Sequence, residues 1–121
     1  MAAPNIVNVT SIYGRTVGFN LTTSLNAIVT CASNKVYKVN SVIVANYDGT
    51  NSADATVYFY DSSAAARYQL VSTVAVPADA SIVVLDKNSS IYLEEGDKIE
   101  GAASANGDLA ITVSYEEIDD A

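Results

Sequence analysis

The chain predicts an all-β fold, an antiparallel β-sandwich, and three observations carry that expectation. Half of its residues are hydrophobic, yet Leu, Met and Phe are scarce beside Val, Ala, Thr, Ser and Tyr, the balance of a strand-forming chain. Apolar and polar residues alternate with period 2 through run after run, and no segment has the repeat of an amphipathic helix. Turn signals separate about eight or nine such runs at intervals of roughly 8 to 12 residues, the spacing of a two-layer sandwich.

Taken in order, Ile6 to Tyr13 alternates Ile6, Asn8, Thr10 and Ile12 against Val7, Val9, Ser11 and Tyr13. Neither face is strongly apolar, so this run reads as an edge strand, broken at Gly14-Arg15. Thr16 to Thr23 reads as a second short strand with Val17, Phe19 and Leu21 on one face. Leu25 to Cys31 follows, with Ala27, Val29 and Cys31 opposing Ile28 and Thr30, and Ala32 to Asn34 supplies a turn. Val36 to Asn46 is long and apolar toward its end, the pattern of a mid-sheet strand covered on both faces for part of its length.

Tyr47 to Asp54 is a polar connection with an Asp48-Gly49 turn signal, and Ala55, Val57 and Phe59 then alternate against Thr56, Tyr58 and Tyr60. Asp61 to Ala66 is a loop whose Ala triplet suits a short helical turn. Arg67 to Val76 is a strand ended by Pro77, which has no N–H for a ladder. The turn Pro77-Ala78-Asp79 leads into Ser81 to Asp86, a short apolar core strand.

Ile91 to Glu117 is the best-specified stretch: a strand, a tight turn, a strand from Lys98 to Ser104, a hairpin turn and a closing strand. Asn106-Gly107 is the hairpin signal, because a type I′ turn needs positive φ at both central positions. Leu109, Ile111, Val113 and Tyr115 point one way and Ala110, Thr112, Ser114 and Glu116 the other, and the expected partner of this strand is Lys98 to Ser104. The segment Tyr92-Leu93-Glu94-Glu95-Gly96-Asp97-Lys98-Ile99 resembles the L-x-x-G-D-x-I turn of tumour-necrosis-factor-like and viral jelly rolls. There the glycine permits the turn and the Asp bonds its own backbone. The resemblance favours a jelly-roll-like sandwich. The alternative, an immunoglobulin-like sandwich, lacks here its Trp and its Cys pair.

The 121 residues suit one domain spanning 1–121, with 1–5 an extended N-terminal arm and 118–121 an acidic tail. A net charge of −8, from 14 acidic and 6 basic residues, argues against nucleic acid and anionic membranes as partners, because binding a phosphate backbone draws on Lys and Arg. No run approaches the roughly 18 apolar residues of a membrane helix. The opening MAAPNIVNV lacks the basic region and apolar core of a secretion signal, so synthesis in a cytoplasm is the expectation. Accordingly Asn8-Val9-Thr10, Asn20-Leu21-Thr22 and Asn88-Ser89-Ser90 read as turn and strand polars rather than glycosylation acceptors.

No catalytic, cofactor-binding or metal-binding residues are assigned. With no His, a transition-metal site lacks its commonest ligand and the single Cys31 lacks an activating base, so Cys31 reads as a small buried core residue. Glu94, Glu95 and Asp97 lack the ligand spacing of an EF-hand loop and suit a solvated turn. Glu116, Glu117, Asp119 and Asp120 read as a solvated acidic end able to meet a basic patch on a partner. Paired carboxylates for glycoside hydrolysis would need a sugar cleft, and the chain has no Trp for stacking. Eight Tyr against two Phe, with a positive mean hydropathy, point to contact surface beyond what a monomer hides, hence to an assembly subunit.

Six segments in order carry a wider resemblance: Ser11-Ile12-Tyr13-Gly14-Arg15-Thr16, Lys35 to Val42, Val76-Pro77-Ala78-Asp79-Ala80-Ser81, Asp86-Lys87, Ile91 to Asp97, and Val113 to Ile118. Over roughly residues 5–118 the chain resembles small virion structural proteins of tailed bacteriophages, especially those of marine and cyanobacterial viruses. The resemblance implies a non-enzymatic β-sandwich located on the virion. It would be a capsid decoration (cement) protein on the major capsid protein, or a neck, tail or fibre subunit, with other virion proteins as partners. A homo-oligomer, a trimer foremost, is the expected state. A carbohydrate-binding receptor-recognition module is the competing reading, and an enzyme a distant third.

Overall fold

The computed structural model describes residues 11–119 and consists of two antiparallel sheets packed face to face. The strands are β1 (Ser11–Asn20), β2 (Asn26–Thr30), β3 (Lys35–Asn46), β4 (Ala53–Asp61), β5 (Ala66–Val76), β6 (Ser81–Leu85), β7 (Ile91–Leu93), β8 (Lys98–Ala103) and β9 (Leu109–Asp119), with one 3-10 turn at Lys87–Ser89. One sheet has the order β1-β9-β3-β6, with β7 also paired to β3, and the other has the order β2-β8-β4-β5. Successive strands cross repeatedly between the layers, and the eight-strand order, with β6 and β7 sharing the place beside β3, is that of a jelly roll. The immunoglobulin arrangement of strands ABED over CFG does not occur.

The core is the interleaved inner face of both sheets. Leu109, Ile111, Val113 and Tyr115 of β9 are all buried, as their alternation requires, and they pack between β1 and β3. β3 lies mid-sheet as expected. A bulge at Asn40 shifts its register against β9, so Tyr37 and Val39 face the core before it, and Val42 and Val44 after it. Both faces of β3 are covered near its start, where Val36 and Tyr37 are each buried, and not at its apolar end, where Ile43 is exposed.

Several sequence expectations are corrected. Gly14-Arg15 does not break the first strand: Ser11 to Asn20 pairs with β9 without interruption, because neither Gly14 nor Gly18 has positive φ and extended backbone suits both. Ile6 to Thr10 and the arm at 1–5 lie outside the described residues. Ala27 does not share the face of Val29 and Cys31, since a bulge between Ala27 and Val29 interrupts the alternation. Ser62, Ser63, Ala64 and Ala65, the last at φ 50, make the turn that closes the β4–β5 hairpin, not a helical turn, and Ala66 already belongs to β5. β6 contributes one face to the core, with Leu85 buried and Ile82 and Val84 packed against it, while Val83 is 62% exposed on the other face, because β6 lies at a sheet edge.

The largest correction concerns Asn106-Gly107. The turn exists and Gly107 has φ 81, but β8 and β9 belong to opposite sheets, so the segment Ala105-Asn106-Gly107-Asp108 is an inter-sheet crossing and not a hairpin. Asn106 does not adopt positive φ, which a type I′ turn would demand. Finally, β9 runs to Asp119, so Ile118 and Asp119 belong to the sheet and not to the tail expected at 118–121.

Candidate interaction surfaces

Asp97, Glu95, Glu117, Asp119 and Cys31, weighed as chemical sites, make bonds within the fold. Asp97 follows Gly96, which at φ 85 turns the chain from β7 into β8. Its carboxylate is buried and accepts hydrogen bonds from the backbone N–H of Glu94 and of Ser62, each at 3.0 Å. Glu95 accepts from the Asn34 N–H at 3.0 Å. These carboxylates therefore diverge onto separate loops, and among the described residues no group of three or more acidic, Cys or His side chains is placed to hold a metal ion.

The acidic end is corrected at Glu117 and Asp119, while Asp120 lies outside the described residues. Glu117 is not solvated: it is buried, with Arg15 Nε 3.0 Å from Oε1 and Lys35 Nζ 3.0 Å from Oε2. Lys35 also meets Asp119 at 3.1 Å. Burial pushes the Glu117 carboxyl up, but the hydrogen bonds and positive charge of Lys35 and Arg15 outweigh it and hold the group below the usual carboxylate range. Beside this cluster the rings of Tyr37 and Tyr115 stack at 4.8 Å. Cys31 is buried and its thiol donates to the Lys35 carbonyl at 3.2 Å. Burial pushes its pKa up to about 12, so it is held as an unreactive thiol.

On the outer face of the second sheet Arg67 Nε donates to Glu100 Oε1 at 2.7 Å, and Arg67 and Lys98 both lie over the Tyr60 ring, at 5.1 and 5.2 Å. At the far end of the sandwich Asp108 shares a hydrogen bond with Asp48, which raises the pKa of Asp108.

What is left over is a polar hollow on the first sheet, lined by Lys38, Asn40, Asp86, Lys87 and Glu116 beside Ile43 and Val83, and a set of apolar, outward-facing side chains. Tyr13, Tyr47, Tyr68 and Tyr92 are exposed, together with Ile12, Ile43 and Val83. Tyr68 and Tyr92 flank a groove of about 200 Å³ between β5 and β7, floored by Phe59, Leu70 and Ile91. Its lining offers almost no polar atoms beyond the Tyr hydroxyls, so it suits an apolar side chain better than a sugar. The outer face of the first sheet carries Ile43 and Val83 side by side among small residues such as Ser41, Thr112 and Ala45. Tyr abundance was the signal in the sequence for this surface. Ile12, Ile43 and Val83 gave none, because an exposed and a buried β-branched residue look alike until the partners of their strand are known.

Solved structures include chains similar to this one. A chain of the Bacillus endospore appendages, described as disulfide-linked pili, matches with TM-score 0.56 at 14% identity, over 92% of this chain and 88% of its own. A chain from the acid-stable capsid of the Helicobacter pylori bacteriophage KHP30 matches with TM-score 0.54 at 9% identity, over 91% and 89%. A chain of the cyanophage Pam1 capsid matches more loosely, with TM-score 0.40 at 16% identity over 98% and 92%. At these identities the likeness is one of fold. No family model and no curated protein matches the sequence.

Proposed function

We propose that this chain is a non-enzymatic structural protein of a bacteriophage virion, a capsid decoration (cement) protein made in the host cytoplasm and bound to the major capsid protein as a homo-oligomer. The observation that carries the reading is the outward-facing apolar area on a jelly roll: Ile12, Tyr13, Tyr68, Val83 and Tyr92 are each about half exposed or more. Contiguous exposed apolar surface marks interaction sites, and docking on a shell would cover the Tyr68–Tyr92 groove and the Ile43–Val83 pair. The likeness in fold to a chain of a phage capsid supports it. Attachment through apolar and backbone contacts follows, since Glu117 and Asp97 are already committed to internal partners.

A neck, tail or fibre subunit is the second reading, favoured by the likeness in fold to a pilus chain. A carbohydrate-binding module is the third reading: the aromatic groove lacks convergent polar groups, and the hollow lined by Lys38, Asn40, Asp86, Lys87 and Glu116 has them without an aromatic ring for stacking. Mass spectrometry of purified particles, followed by cryo-EM location of the chain, tests the proposal. Density on the head supports it, density on the tail or fibre replaces it with the second reading, and absence from the particle overturns both.

A further inference from the structure

The two sheets present four edges, β1, β6 with β7, β2 and β5, and they differ in how they are protected. Exposed edges invite pairing with another chain, and proteins commonly blunt them with bulges, short strands or charges. β2 is five residues long and bulged. β5 shifts register twice against β4, with Thr73 at φ 49. The edge of β6 and β7 is broken by the turn at Lys87–Ser89. β1 has neither bulge nor break: it is ten residues long, pairs with β9 in unbroken register, its one charge is paired with Glu117 of β9, and among the described residues no strand lies on its other side. It exposes Ile12, Tyr13 and Phe19. In a chain of net charge −8, Arg15 is the sole charged side chain of this strand.

We infer that β1 is a self-pairing edge that joins two copies of this chain, antiparallel, across a two-fold axis at Thr16. A two-fold axis normal to the sheet keeps inner faces with inner faces, so the numbers of opposed residues must sum to an even value. Centring on Arg15 would set two like charges directly opposite each other, which is unfavourable. Centring on Val17 would carry Tyr13 past the strand end to the buried Leu21. Centring on Thr16 sets Thr16 against its own copy, Arg15 against Val17, Gly14 against Gly18, and Tyr13 against Phe19 on both sides of the axis. The exposed aromatics are thereby paired, the arginines separated, and the first sheet continues from one copy into the next. No acidic residue is brought into the contact. This gives the proposed oligomer one definite contact, two-fold instead of three-fold at this edge, and its outcome leaves the virion assignment to be judged separately by mass spectrometry of particles.

Sedimentation of the full chain, with three variants, tests the contact. The parent should sediment as a dimer. Thr16→Lys, which puts two like charges face to face at an exposed position, should yield the monomer while leaving the far-UV circular dichroism unchanged. Thr16→Cys should form a disulfide-linked dimer on mild oxidation, because opposed residues of antiparallel strands have Cα atoms roughly 4.5 to 5.5 Å apart. Ile12→Cys, whose own copy lies at the opposite end of the contact, should not. A monomeric or trimeric parent, a dimer indifferent to Thr16→Lys, or equal cross-linking of the two cysteine variants overturns the inference.

Discussion

Removing the Asp97 carboxylate should cost this fold far more than removing any other acidic side chain of the β7–β8 turn. One oxygen accepts from Ser62 N–H and the other from Glu94 N–H, at 3.0 Å each, in a residue that is 6% exposed. The side chain thus ties the β4–β5 turn to the β7–β8 turn, across 35 residues of sequence. The backbone of the same turn is bonded to the residue that follows β2, with Cys31 N–H donating to Asp97 O at 2.9 Å and Gly96 N–H to Cys31 O at 3.0 Å. A hydrogen bond to a charged acceptor contributes about 1.5–3 kcal/mol. Because Ser62 and Glu94 are themselves exposed and water can reach part of the vacated space, the sum for Asp97→Ala is placed at about 2–4 kcal/mol. At roughly 4 °C per kcal/mol for a chain of this size, Tm should fall by about 8–16 °C. Asp97→Asn, which keeps one acceptor oxygen, should lose about half as much. The chain has no Trp, so urea unfolding is best followed by far-UV circular dichroism, with a lowered midpoint at unchanged slope. A loss under about 0.5 kcal/mol for Asp97→Ala, or an Asn variant as damaged as the Ala variant, would refute the reasoning.

Other outcomes follow from single observations. Cys31, buried with its pKa raised to about 12, should react with a thiol reagent only as the protein unfolds, so rapid labelling of the native chain would contradict its placement. A Cβ at Gly101 would stand 3.0 Å from Leu21 Cδ2, and Gly101→Val should destabilise by about 1–3 kcal/mol through overpacking; a thermally neutral variant would show that Leu21 has room to move. Glu117 has its pKa held below the ordinary 4.5, so the stability it contributes is full above that pH and is lost as pH falls through the lower folded value. Glu117→Gln should therefore be less stable than the parent at neutral pH, and the gap should narrow as the solution is acidified. Parallel losses down to about pH 2 would overturn that account.

The local chemistry of this chain was legible from its residues. The period-2 alternation of Leu109 to Tyr115 marked which side of β9 is buried, Gly96-Asp97 and Gly107 marked turns, and Pro77 marked the end of β5, because each of these depends on the backbone preferences of a few neighbouring residues. Membership of a sheet was not legible. A strand alternates in the same way whichever strand it pairs with, so Asn106-Gly107 read as a hairpin although β8 and β9 diverge into opposite layers. The bulge at Asn40 was hidden for a related reason: the parity of β3 changes only where β9 sets its register.

The same division holds for the surfaces. An abundance of Tyr announced contact area, but which Tyr stack inside, as Tyr37 and Tyr115 do, and which face outward, as Tyr13 and Tyr92 do, was decided by the layer each strand joined. The sequence placed Glu117 in an acidic end facing water. Its burial depends on Arg15, which lies 102 residues away, and on Lys35, 82 residues away. Two cations can neutralise a carboxylate at that depth only after β1 and β3 have closed on either side of β9, a long-range pairing that no local pattern encodes.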